Sequence, residues 1–185
     1  MSVAGSVAAA SALPGVPVAA HPRRRPVPDE GDPQTAARGD APQAGVAQSK
    51  DPLLRFAVIG INHGHINSQT NAILRARGEL VWLYAKEPDL AAAFQKQYPQ
   101  VKLARSEAEV LEDPSIKLVL SAAIPDERAP LGVRVMRHGK DYMADKPGIT
   151  TLDQLAEVRR VQAETKRIYS IMYSERLENR ATVRA

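Results

Sequence analysis

The chain has 185 residues, of which 44% are hydrophobic and 25% are charged, and its formal net charge at pH 7 is +4. This length and composition fit one globular domain with an additional tail. The absence of cysteine excludes disulfides, thiolate metal sites and a cysteine nucleophile, and the low aromatic content with a diffuse charge argues against nucleic-acid binding.

The first 52 residues differ in texture from the rest of the chain. Residues 1–20, "MSVAGSVAAASALPGVPVAA", resemble the apolar and cleavage regions of a secretory signal, although the positively charged segment that should precede them is absent. Two interpretations stay open, namely the remnant of an export signal, which implies a periplasmic protein, and a disordered leader of a cytoplasmic one. The segment is too short and too rich in proline to span a membrane. Residues 21–52 carry almost no large apolar side chain, so we expect a disordered linker.

Between residues 53 and 174, short apolar runs alternate with helical patterns. The predicted strands occupy residues 54–60, 79–85, 101–104, 116–123, 141–145 and 168–174. This alternation predicts an α/β fold, a Rossmann-like doubly wound parallel sheet of about six strands with helices on both faces. In such sheets ligands bind outside the carboxyl ends of the strands, at the point where the strand order reverses.

Capping residues and glycines indicate where the helices begin and end. The first helix is expected over residues 64–77, with Gly78 as its stop signal. Pro88 is expected in the first turn of the second helix. The other predicted signals are two capping boxes, a side-chain cap and a terminal glycine: Ser106 with Glu109, Thr151 with Gln154, Asp126 and Gly139.

The loop after the first strand reads Gly60-Ile61-Asn62-His63-Gly64-His65. Of the three glycines in the dinucleotide fingerprint G-x-G-x-x-G only Gly60 is kept, and Asn62 is expected to tolerate left-handed backbone angles in place of the second. The following helix N-terminus offers N–H groups to an anion. The loop therefore predicts a phosphate site made by Gly60, Asn62, His63, Gly64 and His65. The alternative is a tight strand-to-helix turn that binds no ligand.

The His63-x-His65 pair raises the question of a metal site, because imidazole is a common zinc ligand. The chain has four histidines, and the nearest carboxylates along the sequence are Asp51 before the pair and Glu79 after it. No third ligand is evident at a suitable spacing, so we expect no metal and assign both histidines to phosphate, backbone or substrate contacts.

The second strand ends in Tyr84-Ala85-Lys86-Glu87. The fingerprint expects an acidic residue here to bind the adenosine ribose, and Ala85 occupies the usual position. Lys86 favours the 2′-phosphate of NADP, whereas Glu87 favours the ribose hydroxyls of NAD. Both side chains are equally well explained as solvated charges at a strand end.

Four stretches resemble the Gfo/Idh/MocA family, the glucose–fructose oxidoreductase and inositol dehydrogenase-like proteins. They are "FAVIGINHGHI", "DPSIKLVLSAAIPDE", "HGKDYMADKPGITTLDQLAEVRRVQ" and "YSIMYSERLENR". The hallmark of the family is Glu-Lys-Pro at the end of the fifth strand, and Asp145-Lys146-Pro147 resembles an Asp variant of it. The resemblance covers about residues 53–185.

The resemblance implies an oxidoreductase that transfers hydride between NAD or NADP and a sugar, polyol or related hydroxy compound. Lys146 matches the family lysine near the nicotinamide and substrate, where an ammonium stabilises a developing alkoxide. Asp145 is expected to orient Lys146 or to bind the nicotinamide ribose. Three residues after the fourth strand are expected to line the nicotinamide side: Ala123, Ile124 and Pro125.

The family carries a second, substrate-binding domain after the Rossmann domain, and residues 175–185 resemble its beginning. We therefore expect a fragment with a cofactor site but without a complete substrate site. Surface meant for the second domain predicts self-association, including a homo-oligomer. The alternatives are a non-catalytic dinucleotide-binding module and an interaction protein that binds no nucleotide.

Overall fold

The structure is a computed structural model in which residues 48–173 are described. The elements of this part, in chain order, are β1 (Leu54–Ile59), α1 (His65–Arg75), β2 (Gly78–Tyr84), α2 (Pro88–Gln97), β3 (Lys102–Leu103), α3 (Glu107–Glu112), β4 (Leu118–Ser121), α4 (Pro125–Arg137), β5 (Asp141–Asp145), α5 (Leu152–Thr165) and β6 (Tyr169–Met172). None of these helices has the length and apolarity that crossing a membrane requires. The predicted signal-like leader, most of the linker and residues 174–185 lie outside the described residues.

The six strands form one parallel sheet in the order β3-β2-β1-β4-β5-β6. The chain first builds outward from β1 to β3 and then returns to the other side of β1 with β4. The strand order therefore reverses between β1 and β4, which is where a ligand crevice opens in folds of this kind. The predicted Rossmann-like doubly wound sheet is confirmed.

The central strand β1 is covered on both faces, so its successive side chains enter two different cores. Phe56 and Val58 pack with apolar residues of α1 and α2. Ala57 and Ile59 pack with residues of α3 and α4 on the opposite face. Burial on both sides explains why β1 reads as a continuous apolar run rather than as an alternating pattern.

The end of α1 differs from the prediction. The helix ends at Arg75, and the left-handed residue that follows it is Arg77, with φ 65°, rather than Gly78. Gly78 is instead the first residue of β2, where an added Cβ would lie 2.5 Å from Cγ2 of Ile73 and 2.9 Å from its carbonyl oxygen. The prediction that Gly78 stops the helix was wrong, because this glycine provides space for the preceding helix.

The two predicted capping boxes are present, but the hydrogen bond that returns to the start of each helix goes to the residue before the cap instead of to the cap itself. Ser106 Oγ accepts a hydrogen bond from the Glu109 amide at 3.2 Å, and Thr151 Oγ1 accepts one from the Gln154 amide at 3.1 Å. The side chains of Glu109 and Gln154 each accept from the amide of the residue that precedes the cap. Four donors near the two helix ends are satisfied in this way.

The helix α4 begins one residue earlier than its predicted cap. Ile124 is the N-cap residue and Pro125 follows it in the first turn, so Asp126 lies inside the helix and does not cap it. The negative charge of Asp126 still faces the positive end of the helix dipole. Gly139 follows the C-cap with φ 73°, which confirms it as the left-handed end of α4.

Asp113 stabilises the turn between α3 and β4 through hydrogen bonds to its carboxylate. Its carboxylate accepts hydrogen bonds from Trp82 Nε1 at 2.8 Å and from the amide and hydroxyl of Ser115 at 2.8 and 2.6 Å. Burial raises the pKa of Asp113, but the hydrogen bonds from Ser115 and Trp82 together outweigh burial and lower it to about 2. Lys140 Nζ donates to the Asp113 carbonyl oxygen at 2.6 Å, which ties the start of β5 to the same turn.

Candidate functional site

The loop after β1 lies against the carboxyl ends of both neighbouring strands. The amide of Gly60 donates to the carbonyl oxygen of Tyr84 at 2.9 Å, and the carbonyl oxygen of Gly60 accepts from the amide of Ala122 at 3.0 Å. Gly60 has φ 76°, and a Cβ there would lie 2.6 Å from Cβ of Ala123. Both the backbone angle and the space require glycine at this position.

Asn62 does not act as a replacement for the second glycine of the fingerprint. Within residues 48–173 the non-glycine residues with positive φ are Arg77 and Lys166, so the expected left-handed angle at Asn62 was wrong. Instead, its side-chain amide donates to Oε1 of Glu87 at 2.7 Å. The loop is thereby tied through a side chain to the end of β2.

A cavity of about 320 Å³ opens at the strand-order reversal, between this loop, the end of β2 and the start of α4. Its size lies at the lower end of the range for small-molecule and cofactor sites. Lys86 Nζ donates to Oε1 of Glu127 at 3.0 Å at the cavity edge, and this hydrogen bond raises the pKa of Lys86. The lining residues are Ile59, Gly60, Asn62, Tyr84, Ala85, Lys86, Glu87, Glu107, Ala123, Asp126, Glu127, Pro130, Leu131 and Arg134.

All the predicted site residues except Ile124 and Pro125 divide among three places. Five of them line the cavity: Gly60, Asn62, Lys86, Glu87 and Ala123. His63 and Gly64 line a second depression of about 220 Å³ on the α2 side of the loop. Ile124 is 47% exposed at the start of α4, and neither it nor Pro125 is among the residues that line these two cavities.

The remaining predicted residues meet at Asp145, the last residue of β5. Its buried carboxylate lies 3.0 Å from Nδ1 of His65 and 3.4 Å from Nδ1 of His63. The backbone amide of Lys146 donates to Oδ1 of Asp145 at 2.8 Å, and Nη2 of Arg128 lies 3.3 Å from Oδ2. Four nitrogen atoms therefore surround the two carboxylate oxygens.

Arg128 is a central residue of the site that the sequence did not reveal. It is buried, and its Nε donates to the carbonyl oxygen of Ala123 at 2.7 Å while Nη1 donates to that of Lys146 at 2.7 Å. One planar guanidinium thus joins the loop after β4 to the loop after β5 and to the Asp145 carboxylate. In the sequence it follows Asp126 and Glu127 in the run "PDER" at a helix start, where charged side chains are usually solvated.

The prediction against a metal rested on the ligands nearby in the sequence. Asp145, which is 80 positions from His65, supplies a third candidate ligand. Donor atoms of His63, His65 and Asp145 all lie within 4.8 Å of one another. The topology of the parallel sheet brings them together because β1 and β5 both end at the same edge.

The family and its solved members agree with this architecture. The family model described as "oxidoreductase family, NAD-binding Rossmann fold" (GFO_IDH_MocA) matches residues 54–173. A candidate oxidoreductase from Erwinia carotovora atroseptica is 36% identical with a TM-score of 0.68, over 70% of this chain and 39% of that one. A comparison with curated protein sequences finds no match.

Two more distant structures share the fold. They are a biliverdin reductase from Synechocystis in complex with biliverdin and NADP⁺ (20% identity, TM-score 0.59, 67% of this chain and 39% of that one) and the WlbA dehydrogenase of Chromobacterium violaceum with NADH and UDP-GlcNAcA (17%, 0.60, 72% and 39%). The chain spans about two fifths of the length of these three relatives. Since the family model covers well over half of its residues, the chain belongs to the Gfo/Idh/MocA oxidoreductase family and contains the NAD-binding Rossmann domain of that family.

Proposed function

We propose that this domain binds NAD or NADP and serves the transfer of hydride between the nicotinamide and a sugar, polyol or related hydroxy compound. The observation that carries the proposal is the Gly60 loop, which turns with φ 76° at the strand-order reversal and borders a cavity of about 320 Å³. Family membership supports the cofactor class. Two solved structures that share the fold hold NADP⁺ or NADH, which is consistent with this class.

The polar groups around the loop fit the successive parts of a dinucleotide. The cavity takes the adenosine, with Lys86 and Glu87 beside its ribose. The first turn of α1 contains no acidic residue, so its N–H groups and helix dipole remain favourable to the pyrophosphate. The nicotinamide then lies toward Ala123 and the loops that follow β4 and β5.

Lys146 is the proposed catalytic contact. The bound nicotinamide supplies or accepts the hydride, and the Lys146 ammonium hydrogen-bonds the oxygen on the reacting carbon, where negative charge develops. The backbone of Lys146 is held on both sides, because its amide donates to Asp145 and its carbonyl oxygen accepts from Arg128. The role of Asp145 in this proposal is to position Lys146 or to bind the nicotinamide ribose.

A calorimetric titration of the full chain with NADH and with NADPH tests the binding part of the proposal. If Lys86 binds a 2′-phosphate, Lys86→Gln weakens NADPH by about tenfold or more and leaves NADH unchanged, since it removes a charge-assisted bond. If Glu87 binds the ribose, Glu87→Gln weakens NADH instead. Lys96→Gln removes an equal charge from an exposed position on α2 and is the matched control. A folded chain that binds neither dinucleotide overturns the proposal.

Turnover is tested separately from binding. The alternative function is a dinucleotide-binding module without catalysis of its own, and the observation behind it is that the described residues form the Rossmann domain and its cavity. Oxidation of a panel of monosaccharides and polyols is followed by the near-ultraviolet absorbance of the reduced nicotinamide. We expect Lys146→Gln to lower kcat while Lys96→Gln does not. Dinucleotide binding without any turnover would favour the alternative.

A further inference from the structure

We propose that His63, His65 and Asp145 form a binding site for a divalent transition-metal ion of the zinc type. Their donor atoms lie within 4.8 Å of one another, with Nδ1 of His65 3.0 Å and Nδ1 of His63 3.4 Å from the carboxylate. Two imidazole nitrogens and one carboxylate oxygen are a donor set that zinc and its neighbours in the first transition row prefer.

The spacing of the donor atoms fits such an ion. In a tetrahedral zinc site the bonds to nitrogen and oxygen are about 2.0–2.2 Å long, which places neighbouring ligand atoms roughly 3.3–3.6 Å apart. The nitrogen-to-oxygen distances of 3.0 and 3.4 Å are on this scale. The distance from His65 runs to Oδ1 of Asp145 and the distance from His63 runs to Oδ2, so the two histidines face the two oxygens of one carboxylate.

The carboxylate is oriented before any ion arrives. Asp145 has a side-chain exposure of 3% and is held by the Lys146 amide and by Arg128, whose own position is fixed by the carbonyl oxygen of Ala123. Hydrogen-bonded carboxylates of this kind are usual in metal sites, because the outer donors fix the ligand and tune its basicity.

The opposite side of the cluster is open. The side chains of His63 and His65 are 52% and 29% exposed, so solvent reaches the proposed ion from the loop. Three protein ligands with an open fourth position are the arrangement of catalytic rather than structural zinc sites. Since Arg128 already balances the charge of Asp145, the open position favours an anionic oxygen such as hydroxide or phosphate.

The same contacts also describe a hydrogen-bonded histidine–aspartate pair, in which His65 Nδ1–H donates to Asp145 without any ion. The two arrangements differ in what occupies the imidazole nitrogens, so metal titration separates them. Co²⁺ is a suitable probe, because its visible absorption reports coordination by protein ligands. The full chain is used after removal of affinity tags and treatment with a chelator.

We expect one equivalent of Co²⁺ to bind and to give visible bands. His63→Gln and His65→Gln should each weaken binding by more than the roughly 10–100-fold typical for loss of an outer partner. His138→Gln is the matched control, because His138 is exposed at the end of α4 and outside the cluster. Circular dichroism establishes that each variant is folded, and His63→Gln is the least disruptive because its ring is the most exposed.

A folded chain that binds no Co²⁺ would leave a hydrogen-bonded pair only and overturn the proposal. Binding that survives both His63→Gln and His65→Gln would overturn it as well. The titration contains no dinucleotide, and dinucleotide binding is measured on the metal-free chain. Failure of the metal site and failure of the proposed function are therefore separate results.

Discussion

Replacement of Gly60 by alanine tests whether the loop after β1 is fixed by close contact with the end of β4. An alanine with φ near 76° costs about 1–2 kcal/mol from its left-handed conformation, partly offset by about 0.4–1 kcal/mol of lost entropy in the unfolded chain. The added Cβ lies 2.6 Å from Cβ of Ala123, and overpacking of this kind costs about 1–3 kcal/mol. We expect Gly60→Ala to lower the free energy of unfolding by about 2–4 kcal/mol.

Gly139 provides a control with the same backbone and different surroundings. Its φ is 73°, but an added Cβ would meet no atom within 4 Å. Gly139→Ala therefore costs only the free energy of placing alanine in the left-handed conformation, and we expect it to lower the free energy of unfolding by about 1 kcal/mol. The difference between the two variants measures the steric contact at Gly60.

A second substitution should relieve the steric clash that Gly60→Ala introduces. Ala123→Gly removes the nearest atom, after which the new Cβ at residue 60 meets the Ala123 backbone at 3.2 Å. In a double-mutant cycle the pair should recover about 1–2 kcal/mol relative to additivity. Urea unfolding is followed by circular dichroism and by the fluorescence of Trp82, the single tryptophan of the chain. If Gly60→Ala costs no more than Gly139→Ala, or if Ala123→Gly restores nothing, the loop relaxes freely and the reasoning is refuted.

Three further substitutions test other parts of the fold. Arg128→Met leaves the buried carboxylate of Asp145 without its cation and should lower the free energy of unfolding by about 3–5 kcal/mol, with partial recovery when Asp145→Asn is added. The pKa of Asp113 is about 2 in the folded state and lies below its ordinary value of 3.8, so its ionised form stabilises the fold above that value. This stabilisation is lost as the pH falls toward 2, and Asp113→Asn should flatten the decline in urea titrations between pH 4 and pH 2. Both polar atoms of the Gln69 amide are buried without a hydrogen-bond partner, so Gln69→Met should raise stability by about 1 kcal/mol in the same assay.

Each of these three has a result that would contradict it. If the free energy of unfolding of Arg128→Met lies within about 1 kcal/mol of that of the parent, water reaches Asp145. An unchanged acid decline in Asp113→Asn would assign that decline to other carboxylates. A destabilised Gln69→Met would indicate that the amide holds a buried water, because such a water would be lost with the polar group.

The order of elements was predictable because it depends on local patterns. Apolar runs of strand length alternate with helical spacing, and this alternation allows only a parallel sheet with crossover helices. The capping residues Ser106 and Thr151 were also readable, since each bonds an amide only three residues away. Gly60 was identified by the first position of the fingerprint, which describes a single turn.

Features that depend on contacts distant in sequence were missed or misread. Spacing alone does not distinguish a glycine needed for its backbone angle from one needed for space. Gly78 was therefore predicted to stop the helix, although it is needed because a Cβ there would collide with Ile73. Arg128 is buried because it lies between the loops that follow β4 and β5, and a run of charged residues at a helix start gives no sign of this. The approach of His65 to Asp145 spans 80 positions.

Two side-chain hydrogen bonds explain how the loop after β1 accommodates residues other than glycine. In the usual fingerprint, small residues let the helix pack against the strand and let the backbone approach the pyrophosphate. Here the loop carries side chains at those positions, and each is drawn to a carboxylate at the edge of the sheet: Asn62 to Glu87 at 2.7 Å and His65 to Asp145 at 3.0 Å. Asn62 and Glu87 both line the cavity, whereas His65 and Asp145 meet outside it. The side chains that stand where the fingerprint has glycines are therefore each fixed by a carboxylate that follows or ends a strand, Glu87 after β2 and Asp145 in β5.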